Sequence, residues 1–170
     1  MFGNYESFFV ASAGASAAFL GLLFVAFTVV EAEETDARTR ERRAVLAGSA
    51  FLALVDAFFV SITALTGGAA LFGAASLAMA LIGLLATSQL MPRAKRAGNF
   101  SRDFPTRNLN IMFAGVSAGG YTAQLGLAVA LLMATDNAAL QRALVVLVIV
   151  LYASALGRAW EITGIRRRRA

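Results

Sequence analysis

The sequence predicts an all-α integral membrane protein, a bundle of five transmembrane helices. Hydrophobic residues make up 59% of the 170 residues and charged residues only 15%, whereas a soluble domain carries about 25% charged residues. The apolar residues form blocks of ~20 residues or more, the length that a ~30 Å hydrocarbon core requires. Charged residues cluster at the ends of these blocks. The length fits a single transmembrane domain over residues 1–170.

The first span is predicted over about residues 7–30. The residues before it include no Lys or Arg, and a secretory signal would need a basic start and a shorter apolar core. We therefore expect a retained helix that starts outside. The charged segment from Glu31 to Arg43 contains no Gly or Pro, so the flanking helices are expected to extend past the membrane and to be joined by a tight turn.

Part of this first span resembles known membrane proteins. The run from Gly14 to Ala26, GASAAFLGLLFVA, is similar to the first span of small uncharacterised multi-pass membrane proteins of high-GC bacteria, some of them labelled as modulators of a membrane protease. The resemblance covers the first thirty residues. It implies a bacterial membrane protein and assigns no catalytic or ligand-binding residue.

Four further spans are predicted, over about residues 44–65, 69–90, 108–134 and 138–160. Short turns at 66–68 and 135–137 separate the second span from the third and the fourth from the fifth. Pro92 is expected to end the third span, because proline does not fit a helix interior. An odd number of spans argues against two equal halves, unless one span is an addition.

The basic residues predict the topology. Fourteen of the fifteen Lys and Arg residues lie in the loops after spans one and three or near the C-terminus, and only Arg142 lies on the other side. Cytoplasmic loops carry the excess of Lys and Arg. The N-terminus is therefore predicted outside and the C-terminus in the cytoplasm, with the protein in the cell (inner) membrane. This placement of the basic residues argues against nucleic acid as a partner.

Small residues recur at helical spacing on three spans, where they let helix backbones approach closely. They are Gly14, Ala17, Ala18 and Gly21 on the first; Ala69, Gly73, Ser76, Ala80, Gly83 and Thr87 on the third; and Gly115, Gly119, Gly126 and Ala130 on the fourth. These stripes either pack within one protomer or form an oligomer face. A homo-oligomer is predicted, because so small a chain has little interior of its own.

Two spans also carry polar residues at seven-residue spacing. They are Ser49, Asp56 and Thr63 on the second span, and Asn110, Ser117 and Gln124, with Tyr121 on the same side, on the fourth. Facing stripes would form a hydrated path with a carboxylate at mid-depth, which suits a cation or a proton. Alternatively, Asp56 is protonated, or it bonds to Gln124, Tyr121 or a hydroxyl and holds helices together.

Charged residues near the cytoplasmic face have simpler interpretations. Glu31 and Glu34 would concentrate cations at a pore mouth, or would pair with neighbouring arginines. Arg158 and Glu161, three residues apart and close to Trp160, are interpreted as an anchor at the inner interface. The chain has no Cys or His, which excludes thiol and imidazole chemistry, and we predict no catalytic residue, metal or cofactor and no enzymatic activity.

The sequence thus favours a small homo-oligomeric ion channel or transporter-like protein, which passes a cation or proton past Asp56 through the lipid bilayer. The alternative is a non-conducting structural or regulatory subunit that binds another membrane protein complex. Accessibility distinguishes them, because a channel needs Asp56, Ser49 and Thr63 to face water.

Overall fold

The structure is a computed structural model that describes residues 5–33, 36–96 and 104–164, without the side chains of 30–33, 38, 94–96, 104–114 and 161–164. Within these ranges it consists of five α-helices and their connections: α1 (Glu6–Glu33), α2 (Ala37–Thr66), α3 (Ala69–Arg96), α4 (Phe104–Met133) and α5 (Ala138–Gly164). Each helix is long and apolar enough to cross a membrane. The prediction of an all-α, multi-pass membrane protein is confirmed at this level.

Four of the helices form a closed ring. Helix α2 packs on α3, α3 on α4, α4 on α5, and α5 back on α2. Helix α1 packs mainly on α2 and therefore lies outside the ring. Only 17% of the most apolar stretch of α1 is buried, compared with 56% of the corresponding stretch of α2. The odd number of spans thus arises from one peripheral helix added to a four-helix bundle.

The small-residue stripe of α3 packs inside this ring. Gly73, Ser76, Ala80 and Gly83 are all buried. A Cβ atom on Gly83 would lie only 2.4 Å from Cδ1 of Tyr121 in α4, so the ring of the tyrosine occupies the space that a side chain at Gly83 would need. The α3 stripe therefore serves packing within the protomer.

The glycines of the other two stripes face outward. Gly14 and Gly21 on α1, and Gly119 and Gly126 on α4, are exposed, and a Cβ atom at any of them would meet nothing within 4 Å. In the predicted homo-oligomer, these outward faces would contact another copy of the chain.

Two short turns lie where the sequence predicts them. After α2, the N–H of Gly67 donates to the carbonyl of Thr63 at 3.0 Å, which closes the helix. Before α5, Oδ1 of Asn137 accepts hydrogen bonds from the N–H groups of Ala139 and Leu140 at 3.0 and 3.3 Å. Both arrangements satisfy backbone groups that a helix end leaves without intrahelical partners.

The prediction that Pro92 ends the third span is wrong, because α3 continues through Pro92 to Arg96. Proline lacks an N–H and crowds the carbonyl four residues back, here that of Ser88. Pro92 is exposed and lies at the edge of the apolar segment, which ends at Arg93. Only one backbone hydrogen bond is lost there, close to water.

Asp36 caps the N-terminus of α2: its Oδ2 accepts from the backbone N–H of Thr39 at 3.0 Å and from the Thr39 hydroxyl. We expect Asp36→Ala to destabilise the protein by about 1 kcal/mol, the usual effect of losing such a cap, measured by reversible unfolding in detergent micelles. Asp136→Ala, at an exposed turn position, is the matched control and should change stability by less than ~0.5 kcal/mol. Equal effects would contradict the capping role.

Candidate functional site

Asp56 lies within α2 and is fully buried, with 0% of its surface exposed. Its Oδ1 accepts a hydrogen bond from Nε2 of Gln124 in α4 at 2.7 Å. The same Nε2 donates to the backbone carbonyl of Ser76 in α3 at 3.3 Å. One side-chain amide thus joins three helices of the ring, and the polar stripes of α2 and α4 meet at this pair.

Four polar oxygens in this region have no hydrogen-bond partner among the described protein atoms. They are Oδ2 of Asp56, Oε1 of Gln124, Oγ of Ser76 and the hydroxyl of Tyr121. All four residues are at most 1% exposed. An unsatisfied polar group in a membrane interior costs several kcal/mol. Since the set combines two acceptors with two hydroxyls, bridging by water or by a small polar occupant would satisfy it.

A second buried polar group lies nearer the end of α5. Arg158 is 2% exposed. Its Nη1 donates to the backbone carbonyl of Ser49 at 3.1 Å and to Oγ of Ser117 at 3.0 Å. Its Nε and Nη2 donate to the carbonyl and hydroxyl of Ser154 at 3.1 and 2.6 Å. The guanidinium therefore joins α2, α4 and α5.

The interpretation of Arg158 as an interfacial anchor is wrong. The guanidinium points into the bundle, where hydroxyl and carbonyl oxygens satisfy its donors and so make burial of the charge tolerable. Trp160, two residues later, is 79% exposed. The side chain of Glu161, the other residue of the predicted anchor, lies outside the described residues.

We call the set Arg158, Ser117, Tyr121, Gln124 and Asp56 the polar column. Its three α4 members are spaced by four and three residues, so they share one helix face. On α2, the carbonyl that accepts from Arg158 belongs to Ser49 and the carboxylate that accepts from Gln124 belongs to Asp56. These two residues are seven apart, which is about 10 Å along the helix. The column is therefore about two helical turns long and lies inside the ring.

The other predicted site residues have different positions. The Ser49 hydroxyl donates to the Leu46 carbonyl at 2.9 Å, and only the Ser49 backbone reaches Arg158. The Thr63 hydroxyl donates to the carbonyls of Phe59 and Val60 in its own helix. The side chains of Asn110, Glu31 and Glu34 lie outside the described residues.

Sequence reasoning missed three contributors to the site: Arg158, Ser154 and Ser76. A usable signal existed for the first two, because a serine and an arginine four residues apart share a helix face, and an ionisable residue inside a span is itself a functional indication. Ser76 had no such signal, since it lies within a stripe of small packing residues.

Comparison with protein-family models, with curated proteins and with solved structures finds no match to this chain. The fold and the site themselves define the class of protein. It is a multi-pass helical membrane protein with a buried column of polar side chains inside a four-helix ring.

Proposed function

We propose that this protein is a small channel or transporter-like membrane protein, which passes protons or small cations along the polar column past Asp56. One observation carries the proposal: a fully buried carboxylate lies among polar oxygens that have no hydrogen-bond partner in the part of the protein that the structure describes. Water bridging those oxygens would make the column a hydrogen-bonded path. The proposal includes a homo-oligomer in the inner membrane, with the N-terminus outside and the C-terminus in the cytoplasm.

The energetics favour a functional carboxylate over a purely structural one. A charged residue at the centre of a membrane helix costs about 2.5–3.5 kcal/mol on insertion scales. Hydrogen bonds between membrane helices return on average only about 0.6 kcal/mol each. The hydrogen bond between Asp56 and Gln124 therefore does not by itself offset a buried charge, whereas transport would give a reason to keep the carboxylate.

Flux measurements in proteoliposomes test the proposal. Native protein and Asp56→Asn are reconstituted with an internal pH indicator, and ion gradients are applied with and without a membrane potential. We expect native flux, reduced about tenfold or more in Asp56→Asn, which corresponds to ~1.4 kcal/mol or more in the barrier. Thr63→Val is the matched control, because the hydroxyl of Thr63 donates to carbonyls of its own helix. Flux should persist in this variant.

Two results would contradict the proposal. One is the absence of flux from well-folded native protein under proton, sodium and potassium gradients. The other is native flux that Asp56→Asn leaves unchanged, which would move the path away from the polar column.

A non-conducting subunit of another membrane complex is the second candidate, and the exposed face of α1 favours it. Leu22 and Phe24 are each 64% exposed, and the small residues of the same helix also face outward. The buried state of Asp56 and the local bonds of Thr63 fit this candidate too. It predicts no flux from folded protein, together with a stable partner that dissociates when Gly14 and Gly21 are replaced by leucine.

A further inference from the structure

Two of the unpartnered oxygens belong to side chains that already bond to each other. Gln124 Nε2 donates to Asp56 Oδ1 at 2.7 Å, while Asp56 Oδ2 and Gln124 Oε1 have no partner among the described atoms. An ionised carboxylate and an amide oxygen are both acceptors, so neither can satisfy the other. A protonated carboxyl group has one O–H donor. One proton on Oδ2 would therefore supply the donor that both oxygens lack.

We propose that Asp56 and Gln124 form a proton-binding site, in which Asp56 binds one proton on Oδ2 and the resulting O–H group donates a hydrogen bond to Gln124 Oε1. The two side chains would then be joined by two hydrogen bonds, N–H to carboxyl oxygen and O–H to amide oxygen. The proposal rests on the proposed function and deepens it, because it names the proton as the species bound at this point of the column.

The reaction is a simple proton transfer. A hydronium ion delivered along the column gives its proton to the Asp56 carboxylate, an O–H bond forms at Oδ2, and a water molecule is left. The charge of the pair changes from −1 to 0. Release toward the other side reverses the step, with water as the acceptor. No other reactant is needed.

The surroundings of the pair favour a proton over a metal ion. Calcium and magnesium take six or more oxygen ligands, whereas the unpartnered set near Asp56 has four oxygens, two of them hydroxyls. The N–H groups of the Gln124 amide point at the carboxylate and the Ser76 carbonyl.

Among the described residues, few other titratable groups face the pair. Helix α4 contributes Tyr121 and α5 contributes Arg158, both in the polar column. From α3, the neighbouring polar group is Ser76, which does not titrate in the working range. Helix α1 lies outside the ring. A pH-dependent signal from a buried carboxyl group is therefore assigned to Asp56 by comparison with Asp56→Asn.

Infrared difference spectroscopy on the reconstituted full chain tests the site. The carbonyl stretch of a protonated carboxylic acid is followed while the pH is varied, in separate experiments in choline chloride, in sodium chloride and in potassium chloride. We expect a band that titrates with pH, that is lost in Asp56→Asn, and that is the same in all three salts. In Gln124→Leu the band should move to higher wavenumber, because the carbonyl loses the N–H donor.

Gln141→Leu is the matched control. Gln141 is also buried, at 7% exposure, but its Nε2 donates to the Thr135 carbonyl at 3.0 Å, at the far end of α5. Its replacement should leave the band unchanged. Helix content and gel-filtration profile of every variant establish that each one is folded.

Three results would overturn the site: no titrating acid band in folded native protein, a band that Gln124→Leu does not move, or replacement of the band by carboxylate signals when sodium or potassium is added at constant pH. The last result would identify a metal cation as the occupant. This experiment is independent of flux. A titrating pair without flux would reject the proposed function alone, and flux without a titrating pair would reject the proton site alone.

Discussion

Arg158→Ala is expected to lower the free energy of unfolding by about 3–5 kcal/mol, the range found when a large buried side chain is truncated to alanine. Arg158 is one of the largest fully buried side chains in the described part of the protein. Its removal leaves a cavity between α2, α4 and α5 and deprives Ser117 Oγ of a donor. Unfolding in mixed detergent and SDS micelles measures the effect.

Two control variants test whether the effect of Arg158→Ala arises from the burial of this side chain. Arg142→Ala removes the same side chain from an exposed site on α5 and should change stability by less than ~0.5 kcal/mol. Arg158→Leu should cost less than Arg158→Ala, because it fills part of the volume and introduces no buried charge. A negligible effect of Arg158→Ala would show that the guanidinium is not buried in the ring.

Gly83→Ala and Gly126→Ala are expected to change stability in opposite directions, although both place a methyl group on a helical glycine. At Gly83 the new Cβ would lie 2.4 to 2.6 Å from three ring atoms of the buried Tyr121, so overpacking should destabilise the protein by about 1–3 kcal/mol. At Gly126 it would meet nothing within 4 Å. There the higher helix propensity of alanine should stabilise by up to ~1 kcal/mol.

The same pair of variants reports on the polar column. Displacement of Tyr121 by Gly83→Ala should also reduce flux, whereas Gly126→Ala should leave flux unchanged. Equal stability changes at the two positions would contradict the packing of α3 against α4. The experiment is the same micelle unfolding assay, followed by reconstitution of the folded variants.

The fold class and the polar helix faces that carry Asp56 and Gln124 could be predicted from sequence because each depends on a strong local signal, whereas Gln124 was one of several partners left open for Asp56. Span length and charge placement predict the helices. Seven-residue spacing places Asp56 and Gln124 on polar faces of their own helices. Polar residues inside membrane helices face the bundle interior, so the two polar faces are expected to lie toward each other.

The arrangement of the helices was not predictable in the same way. In lipid, a buried face and an exposed face are both apolar, so hydrophobic periodicity does not distinguish them. This is why the peripheral position of α1 could not be read from its residues, and why the outward glycines of α4 resembled the inward glycines of α3. The direction of Arg158 depended on Ser117 and Ser154, whose proximity is a property of the packed ring.

Conduction along the polar column requires water inside it, and radiolytic hydroxyl-radical labelling of the protein in nanodiscs tests this requirement most directly. Radicals formed from bound water label the side chains beside it. We predict labelling of Tyr121, which is 1% exposed, and none of Phe72, which is 0% exposed in an apolar cluster. Tyr121 labelling no greater than that of Phe72 would mean a dry column and would contradict conduction along it.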